Sequence, residues 1–178
     1  MTKGRVVTLR SAGVADARRI HAIVAANEAE GHLLPRTLGD IAAHADRFVV
    51  AVRGRRIVGC AELAPLSPQV AEVRSLAVDA AARSLGVGGQ IVEQLRVRAQ
   101  QDGFDRLCAF THVPAYFMRM GFSIVPHLWL TEKIHNDCVT CARFRSCGQY
   151  AMVLPLEAPL EAPLEAPPRI VPLVPGHI

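Results

Sequence analysis

The feature that most constrains the fold is a glycine-bearing segment, Arg83-Ser84-Leu85-Gly86-Val87-Gly88-Gly89-Gln90. It follows a strand-like run at residues 72–79 and precedes apolar residues at helical spacing that end before Gly103. Glycines let the backbone approach a ligand closely, and a helix start presents unpaired N–H groups to an anion. The segment lacks the Gly-Lys-Ser/Thr ending of nucleoside-triphosphate loops and the Gly-x-Gly-x-x-Gly spacing of dinucleotide folds. It therefore predicts a strand–loop–helix unit that binds another anionic ligand.

The remaining periodicities predict alternating strands and helices around this unit. Strands are predicted at residues 6–10, 48–52, 57–63, 72–79, 106–111, 122–125 and 150–154, and the two runs on either side of Arg53-Gly54-Arg55-Arg56 have the pattern of a β-hairpin. Helices are predicted from Asp16, over residues 40–45, after the glycine segment, and from Pro114 to Gly121. The resulting order, β-α-α-β-β-β-α-β-α-β-β, favours a mixed α/β sheet over a doubly wound parallel one.

Length and composition indicate one domain with a different C-terminal end. Hydrophobic residues make up 51% of the 178 residues, enough for a core, and the net charge of +4 is too small to indicate nucleic acid. No leader-like start and no apolar run of about 20 residues is visible, so we expect a cytoplasmic protein without a membrane partner. Leu-Glu-Ala-Pro repeats begin at residue 156 and place a proline every fourth residue, which forbids a regular helix. We predict a domain at residues 1–155 and a disordered tail at residues 156–178.

Three motifs in order resemble the GCN5-related N-acetyltransferase superfamily. They are Ser75-Leu76-Ala77-Val78-Asp79, Arg83-x-x-Gly86-x-Gly88 and Tyr116-Phe117-x-x-x-Gly121-Phe122. The resemblance implies a mostly antiparallel sheet flanked by helices and splayed between its fourth and fifth strands, with acetyl-CoA as cosubstrate. It implies that the amides of residues 85–90 hold the CoA diphosphate. The cofactor-binding residues it implies are Leu76, Ala77, Val78, Arg83, Ser84, Leu85, Gly86, Val87, Gly88, Gly89 and Gln90.

A narrower resemblance is to the acetyltransferase domain of N-acetylglutamate synthases. It rests on Gly31-x-Leu33-Leu34-x-Arg36-Thr37, on Glu72-x-x-Ser75-Leu76-Ala77-Val78, on Thr111, and on Lys133 and Asn136 after the last predicted helix. The resemblance implies a homodimer that acetylates the α-amine of L-glutamate in arginine biosynthesis. It also implies that Arg36 and Lys133 bind glutamate, and Arg74 on the acetyl-binding strand is a third candidate. Two carboxylates require at least two placed cations, preferably a forked guanidinium.

The catalytic residues are less well defined by the sequence. The substrate ammonium must lose a proton, and Glu72 on the acetyl-binding strand is the preferred base, acting through water, with His112 as its competitor. Tyr116 is a candidate acid for the departing thiolate, although a core aromatic residue fits the position equally well. The resemblance implies direct attack in a ternary complex, with a backbone N–H near residues 76–78 polarising the thioester oxygen.

A cluster of cysteines near the end of the domain raises the question of a metal. The pattern is His135-x-x-Cys138-x-x-Cys141-x5-Cys147, which could hold a structural zinc but matches no strong finger spacing. We favour reduced cysteines and no metal ligand here. We expect Cys60 and Cys108 to be buried in strands.

Two alternative functions stay open at this point. The chain could use acetyl-CoA on another amine, such as glutamine, another amino acid or a protein terminus. It could also be a non-catalytic acyl-CoA-binding sensor, since the position where related enzymes often place an acid tyrosine carries Phe117.

Overall fold

The computed structural model describes residues 6–31 and 33–156, and it contains one seven-stranded sheet. The strands are β1 (Val7–Ser11), β2 (Phe48–Arg53), β3 (Arg56–Pro65), β4 (Val70–Val78), β5 (Arg106–Thr111), β6 (Ser123–Val125) and β7 (Tyr150–Pro155). Neighbouring strands follow the order β1-β2-β3-β4-β5-β7-β6. The pair β4–β5 is parallel and the other neighbouring pairs are antiparallel. This confirms the predicted mixed sheet.

Five α-helices accompany the sheet in the described part of the chain. They are α1 (Ala17–Ala29), α2 (Leu38–Ala43), α3 (Val87–Gln101), α4 (Pro114–Met118) and α5 (Thr131–Asn136). Helix α2 begins two residues earlier than predicted. Its start is set by Thr37, whose side-chain hydroxyl accepts a hydrogen bond from the Asp40 N–H at 3.1 Å.

Helices α1 and α3 pack on opposite faces of the sheet. Phe48 and Val50 of β2 belong to the core that contains the apolar stripe of α1. Val49 and Ala51 belong to the core that contains the stripe of α3. This alternation follows from strand geometry, in which successive side chains point to opposite faces. Gly59 of β3 lies under α3, and a Cβ there would stand 3.0 Å from Ile91 Cδ1, so its absence permits close packing.

The hairpin predicted around Gly54 is present. Strands β2 and β3 pair with Arg53 opposite Arg56, which leaves a two-residue turn. Gly54 has φ of 66°, a left-handed conformation that glycine adopts without steric cost.

Strands β4 and β5 separate after a short paired segment. Residues 70–72 of β4 pair with residues 106–108 of β5, and both strands continue beyond this point without pairing to each other. Strand β4 also carries a bulge, because Cys60 pairs with Ala77 whereas Glu62 pairs with Arg74. Ser75 within the bulge has φ of 55°. The predicted splay between the fourth and fifth strands is thus confirmed.

The structure corrects one expectation about the C-terminal third, the position of Lys133 and Asn136, and leaves the domain boundary as a prediction. Lys133 and Asn136, expected after the last helix, lie in α5, a helix without an apolar stripe that periodicity could have revealed. Leu156, the first residue of the predicted tail, is buried, and its N–H donates to the Asp105 carbonyl oxygen at 2.8 Å. The rest of that tail, residues 157–178, lies outside the described residues, so the domain boundary stays a prediction.

None of the described helices combines the length and apolar character needed to cross a bilayer.

Candidate active site

A cleft of about 690 Å³ opens where β4 and β5 diverge, and we call it the donor cleft. Its walls come from the bulge region of β4, the glycine loop, the end of β5 and α4. The residues used below are Ser75, Leu76, Val78, Arg83, Gly86, Gly88, Phe110, His112 and Tyr116. The cleft connects the glycine loop, residues 83–90, to the gap between β4 and β5. This shape suits a long ligand with an anionic group at one end.

The glycine loop presents the start of α3 to this cleft. Gly86 is the N-cap of α3 with φ of 72°, and Ser84 has φ of 65°, so two left-handed residues turn the chain sharply into the helix. The first turn of a helix leaves N–H groups without intrahelical partners, and these favour an anion. The N–H of Gln90 already donates to the Gly86 carbonyl oxygen at 3.1 Å. The amide of Gln90, the last of the predicted amides at residues 85–90, is therefore already engaged in the helix.

The predicted cofactor residues fall into two groups. Leu76, Val78, Arg83, Ser84, Gly86, Val87, Gly88 and Gly89 line the donor cleft, whereas Ala77, Leu85 and Gln90 do not. Ala77 is buried in the core beneath α1, because neighbouring residues of a strand face opposite sides. Arg83 pairs with Glu30 at 2.6 Å and donates to Asn27 Oδ1 at 3.3 Å, which ties the loop to α1.

Tyr116 lies against the glycine loop. A Cβ placed on Gly88 would collide with its hydroxyl oxygen, so glycine at this position is what admits the ring. Burial raises the pKa of Tyr116 against the opposing charge of Arg119, which keeps the phenol protonated and able to donate. The neighbouring Phe117 is buried and packs edge-on against Phe122, so Phe117 is the core aromatic residue of this pair.

A second pocket of about 260 Å³ adjoins the donor cleft, and we call it the acceptor pocket. The two share four lining residues, Leu33, Val73, Ser75 and Phe110. All three predicted substrate-binding cations, Arg36, Arg74 and Lys133, line the acceptor pocket. They come from the segment before α2, from β4 and from α5, so the fold brings together groups that lie far apart in sequence.

Lys133 and Arg74 hold a buried carboxylate between them. Lys133 Nζ lies 2.8 Å from both oxygens of Glu72, and Arg74 Nη2 lies 2.6 Å from Glu72 Oε2. Both cations also contact Asp137 Oδ2, Lys133 at 2.8 Å. Lys133 Nζ stands 5.2 Å from the centre of the Phe110 ring. Glu72 is only 4% exposed, and a buried charge of this kind requires such partners.

Arg36 makes a comparable set of contacts in the same pocket. Its Nη1 donates to Glu62 Oε2 at 2.8 Å and to Ser75 Oγ at 3.0 Å, and its Nε donates to Asp40. Glu62 is 1% exposed, so Arg36 neutralises a second buried carboxylate. Arg36 thereby links α2, β3 and the bulge of β4. The sequence reasoning missed Glu62 and Asp137, because a single acidic residue in a strand or after a short helix carries no motif.

The two candidate bases lie on different walls. Glu72 lines the acceptor pocket, with its carboxylate engaged by Lys133 and Arg74. His112 is exposed and lines the donor cleft. Their roles in proton transfer stay predictions.

The cysteine cluster lies beside the acceptor pocket. Cys138, Cys141 and Cys147 line it, and each is a free thiol. Burial raises the pKa of Cys138, so that thiol stays protonated at neutral pH. Within residues 6–31 and 33–156, no group of three or more His, Cys, Asp or Glu side chains is arranged to hold a metal, so the zinc alternative has no support.

Cys60 and Cys108 are buried as expected, and burial raises the pKa of Cys60 to about 12.

The splayed sheet, the glycine loop and the donor cleft define an acyltransferase that takes its acyl group from a CoA thioester. A family model for the acetyltransferase (GNAT) family matches residues 16–122. This chain belongs to that family and is an acetyl-CoA-dependent N-acetyltransferase.

Relatives agree with this family assignment and differ in how much of them the chain covers. An uncharacterized N-acetyltransferase of Chlorobaculum tepidum is 32% identical over 148 residues, which are 83% of this chain and 96% of that protein. An amino-acid acetyltransferase of Pseudomonas putida is 29% identical over 117 residues, which are 65% of this chain and only 27% of the relative. The chain thus spans about a quarter of that longer enzyme.

A solved structure gives the same fold with ligands. N-acetylglutamate synthase from Neisseria gonorrhoeae, complexed with coenzyme A and N-acetyl-glutamate, superposes with a TM-score of 0.77 at 25% identity. The match covers 88% of this chain and 36% of the synthase. A Mycobacterium tuberculosis protein solved with CoA reaches a TM-score of 0.73 at 24% identity over 84% of this chain and 99% of that one, a likeness of fold.

Proposed function

We propose that this chain transfers acetyl from acetyl-CoA to the α-amine of L-glutamate, giving N-acetyl-L-glutamate and CoA, the first step of arginine biosynthesis. The observation that carries the proposal is the acceptor pocket. Three cations, Arg36, Arg74 and Lys133, line a pocket that shares its walls with the donor cleft. Carboxylates are bound most strongly by charge-assisted and forked hydrogen bonds, which guanidinium groups provide. The similarity to an N-acetylglutamate synthase and to amino-acid acetyltransferases supports the same acceptor.

The chemistry requires an amine to meet a thioester where the two spaces join. The bulge of β4 lies there, since Ser75 lines both spaces, and the sheet register pairs neither Ser75 nor Leu76 with β3. We propose that a backbone N–H of the bulge donates to the thioester oxygen and stabilises the charge that develops on it during attack. The amine nitrogen bonds to the acetyl carbon, and the C–S bond then breaks to release CoA thiolate.

Proton transfer is assigned to Glu72 and Tyr116 as part of the proposal. Glu72 lines the acceptor pocket and accepts the ammonium proton through a water molecule. Its ion pairs with Lys133 and Arg74 give it a second role, since they hold both cations in place. Tyr116, kept protonated by its raised pKa, donates a proton to the departing CoA thiolate.

A second acceptor class is favoured by a specific observation, the charge balance of the acceptor pocket. Glu72 and Asp137 line the pocket together with the three cations and offset two of their charges. An amino acid with one carboxylate and a neutral side chain, such as glutamine, needs less net positive charge in its binding pocket than glutamate does.

The test is release of free thiol from acetyl-CoA with a panel of amines. Purified chain is mixed with acetyl-CoA and with glutamate, glutamine, aspartate, lysine or a peptide amine. We expect glutamate-dependent release, and Arg74→Ala should lower kcat/KM for glutamate about thirtyfold, the scale of a charge-assisted pair. Arg55→Ala, in the exposed hairpin turn, is the matched control and should behave as the wild type. Faster release with glutamine would favour the second acceptor, and CoA binding without release would favour a sensor.

A further inference from the structure

Asp137 makes the contact that a substrate carboxylate is expected to make. It is the first residue after α5, and its Oδ2 accepts hydrogen bonds from Arg74 Nη2 and from Lys133 Nζ, the latter at 2.8 Å. These two cations line the acceptor pocket, and so does Asp137. One carboxylate oxygen of the chain itself therefore occupies the cation pair proposed for the acceptor.

The two carboxylates on this cation pair differ in how firmly they are fixed. The Glu72 side chain is 5% exposed and extends from a strand in the middle of the sheet. The Asp137 side chain is 36% exposed and follows the end of a six-residue helix. The Asp137 backbone is anchored, since its N–H donates to the Lys133 carbonyl oxygen at 3.0 Å, but its carboxylate can leave by rotation about side-chain bonds. Glu72 is thus the permanent partner, and Asp137 is the replaceable one.

Charge counting shows what the replacement changes. Arg74 and Lys133 carry two positive charges, and Glu72 together with Asp137 carries two negative charges. With Asp137 in place an incoming carboxylate meets a neutral cluster, and with Asp137 turned away it meets one net positive charge. Burial pushes the pKa of Asp137 up, but the hydrogen bonds and charges of Lys133 and Arg74 outweigh this and lower it, so Asp137 is ionised at neutral pH.

We propose that Asp137 is a specificity-determining residue that occupies the Arg74–Lys133 pair in the free enzyme and is displaced by a carboxylate of the acceptor. This inference rests on the proposed function, because it takes a carboxylate-bearing amino acid as the acceptor. The exchange weakens carboxylate binding and leaves the chemical step unchanged. Asp137 is therefore distinct from the groups that touch the thioester or the amine.

The experiment compares wild type with Asp137→Asn, which keeps the size and removes the charge. KM for glutamate should fall about fivefold, the scale of a partly exposed ion pair, while kcat stays within about twofold. A second readout needs no turnover: the affinity of glutarate, a dicarboxylate without an amine, is titrated by calorimetry and should rise about fivefold. Asp137→Ala should act in the same direction. Asp46→Asn, an exposed aspartate that lines neither space, is the control.

The outcomes separate this inference from the proposed function. If the wild type acetylates glutamate and both Asp137 variants raise KM, Asp137 positions the cations and the inference is overturned. If the wild type acetylates no amine of the panel but glutarate binds more tightly to the variants, the proposed function fails and the exchange at the cation pair stands. If glutarate affinity is unchanged in both variants, the inference is overturned.

Discussion

The donor cleft and the acceptor pocket share walls but are built in different ways. The donor cleft takes its anion-binding groups from the main chain of one contiguous segment, in which Ser84 and Gly86 turn the chain into α3. The acceptor pocket takes its groups from charged side chains of the segment before α2, β4 and α5. The first depends on backbone conformation and the second on paired charges, so the two should respond differently to substitution.

The two regions also differ in how closely their binding groups are tied to the stability of the fold. An N–H group at a helix start exists whenever the helix does. The acceptor cations, by contrast, neutralise Glu62 and Glu72, which are buried in the sheet. Removing one cation leaves a buried charge with fewer partners, which destabilises the chain as well as the site. Substitutions in the two regions separate these two effects.

Arg36→Ala should give the largest effect. It leaves Glu62, which is 1% exposed, without its ion-pair partner, and the expected loss is about 3 kcal/mol in the free energy of unfolding. Denaturant unfolding monitored by circular dichroism measures this loss.

The double variant Arg36→Met/Glu62→Gln sharpens the same comparison. It removes both charges, so at least half of the lost stability should return. If Arg36 binds the substrate, KM for glutamate stays raised in the double variant. A wild-type KM there would show that Arg36 holds Glu62 and the bulge rather than the substrate.

Lys133→Met should have the next largest effect. It keeps an apolar stem beside Phe110 and removes the ammonium that pairs with Glu72, so kcat/KM for glutamate should fall about thirtyfold. The affinity for CoA, measured by calorimetry, should not change. Arg55→Met in the hairpin turn is the control. Equal losses in CoA and glutamate binding would show that the two regions are not separable.

Gly88→Ala should produce a smaller effect on the other region. The added methyl group would meet the Tyr116 hydroxyl at the start of α3, so CoA affinity should fall about tenfold, equivalent to ~1.4 kcal/mol. KM for glutamate should stay within twofold. Gly39→Ala, where a Cβ meets nothing within 4 Å, is the matched control. Undiminished CoA affinity in Gly88→Ala would argue against the loop as the diphosphate site.

Tyr116→Phe should give the smallest effect. A thiol with a pKa near 8–9 leaves tolerably well as thiolate, so kcat should fall no more than about threefold. A drop of about a hundredfold or more in kcat, with an altered alkaline limb of the pH profile, would show that proton donation by Tyr116 is required for the thiolate to leave.

The same contrast between the regions explains what could be predicted from the sequence. The strand–loop–helix unit is local, so Gly86 and Gly88 sufficed to place it, and the hairpin at Gly54 was equally readable. Arg36 and Lys133 were found through resemblance rather than periodicity. The splay between the fourth and fifth strands also followed from the resemblance.

What the sequence did not reveal depends on contacts between distant segments. Glu62 and Asp137 are single acidic residues, and their significance comes from cations 26 and 63 positions away. Helix α5 has no buried apolar stripe, so its periodicity was too weak to predict it. The pleat of β4 turns the side chain of Ala77, one of the predicted cofactor residues, into the core below α1, and its role in cofactor binding stays a prediction.

The most direct test is a competition in which one reaction contains acetyl-CoA with equal concentrations of L-glutamate and L-glutamine. The products are identified by mass spectrometry at low conversion, so that their ratio reports the ratio of kcat/KM values. N-acetyl-L-glutamate is predicted to exceed N-acetyl-L-glutamine by at least tenfold. A majority of N-acetyl-L-glutamine, or no acetylated amino acid at all, would contradict glutamate as the acceptor.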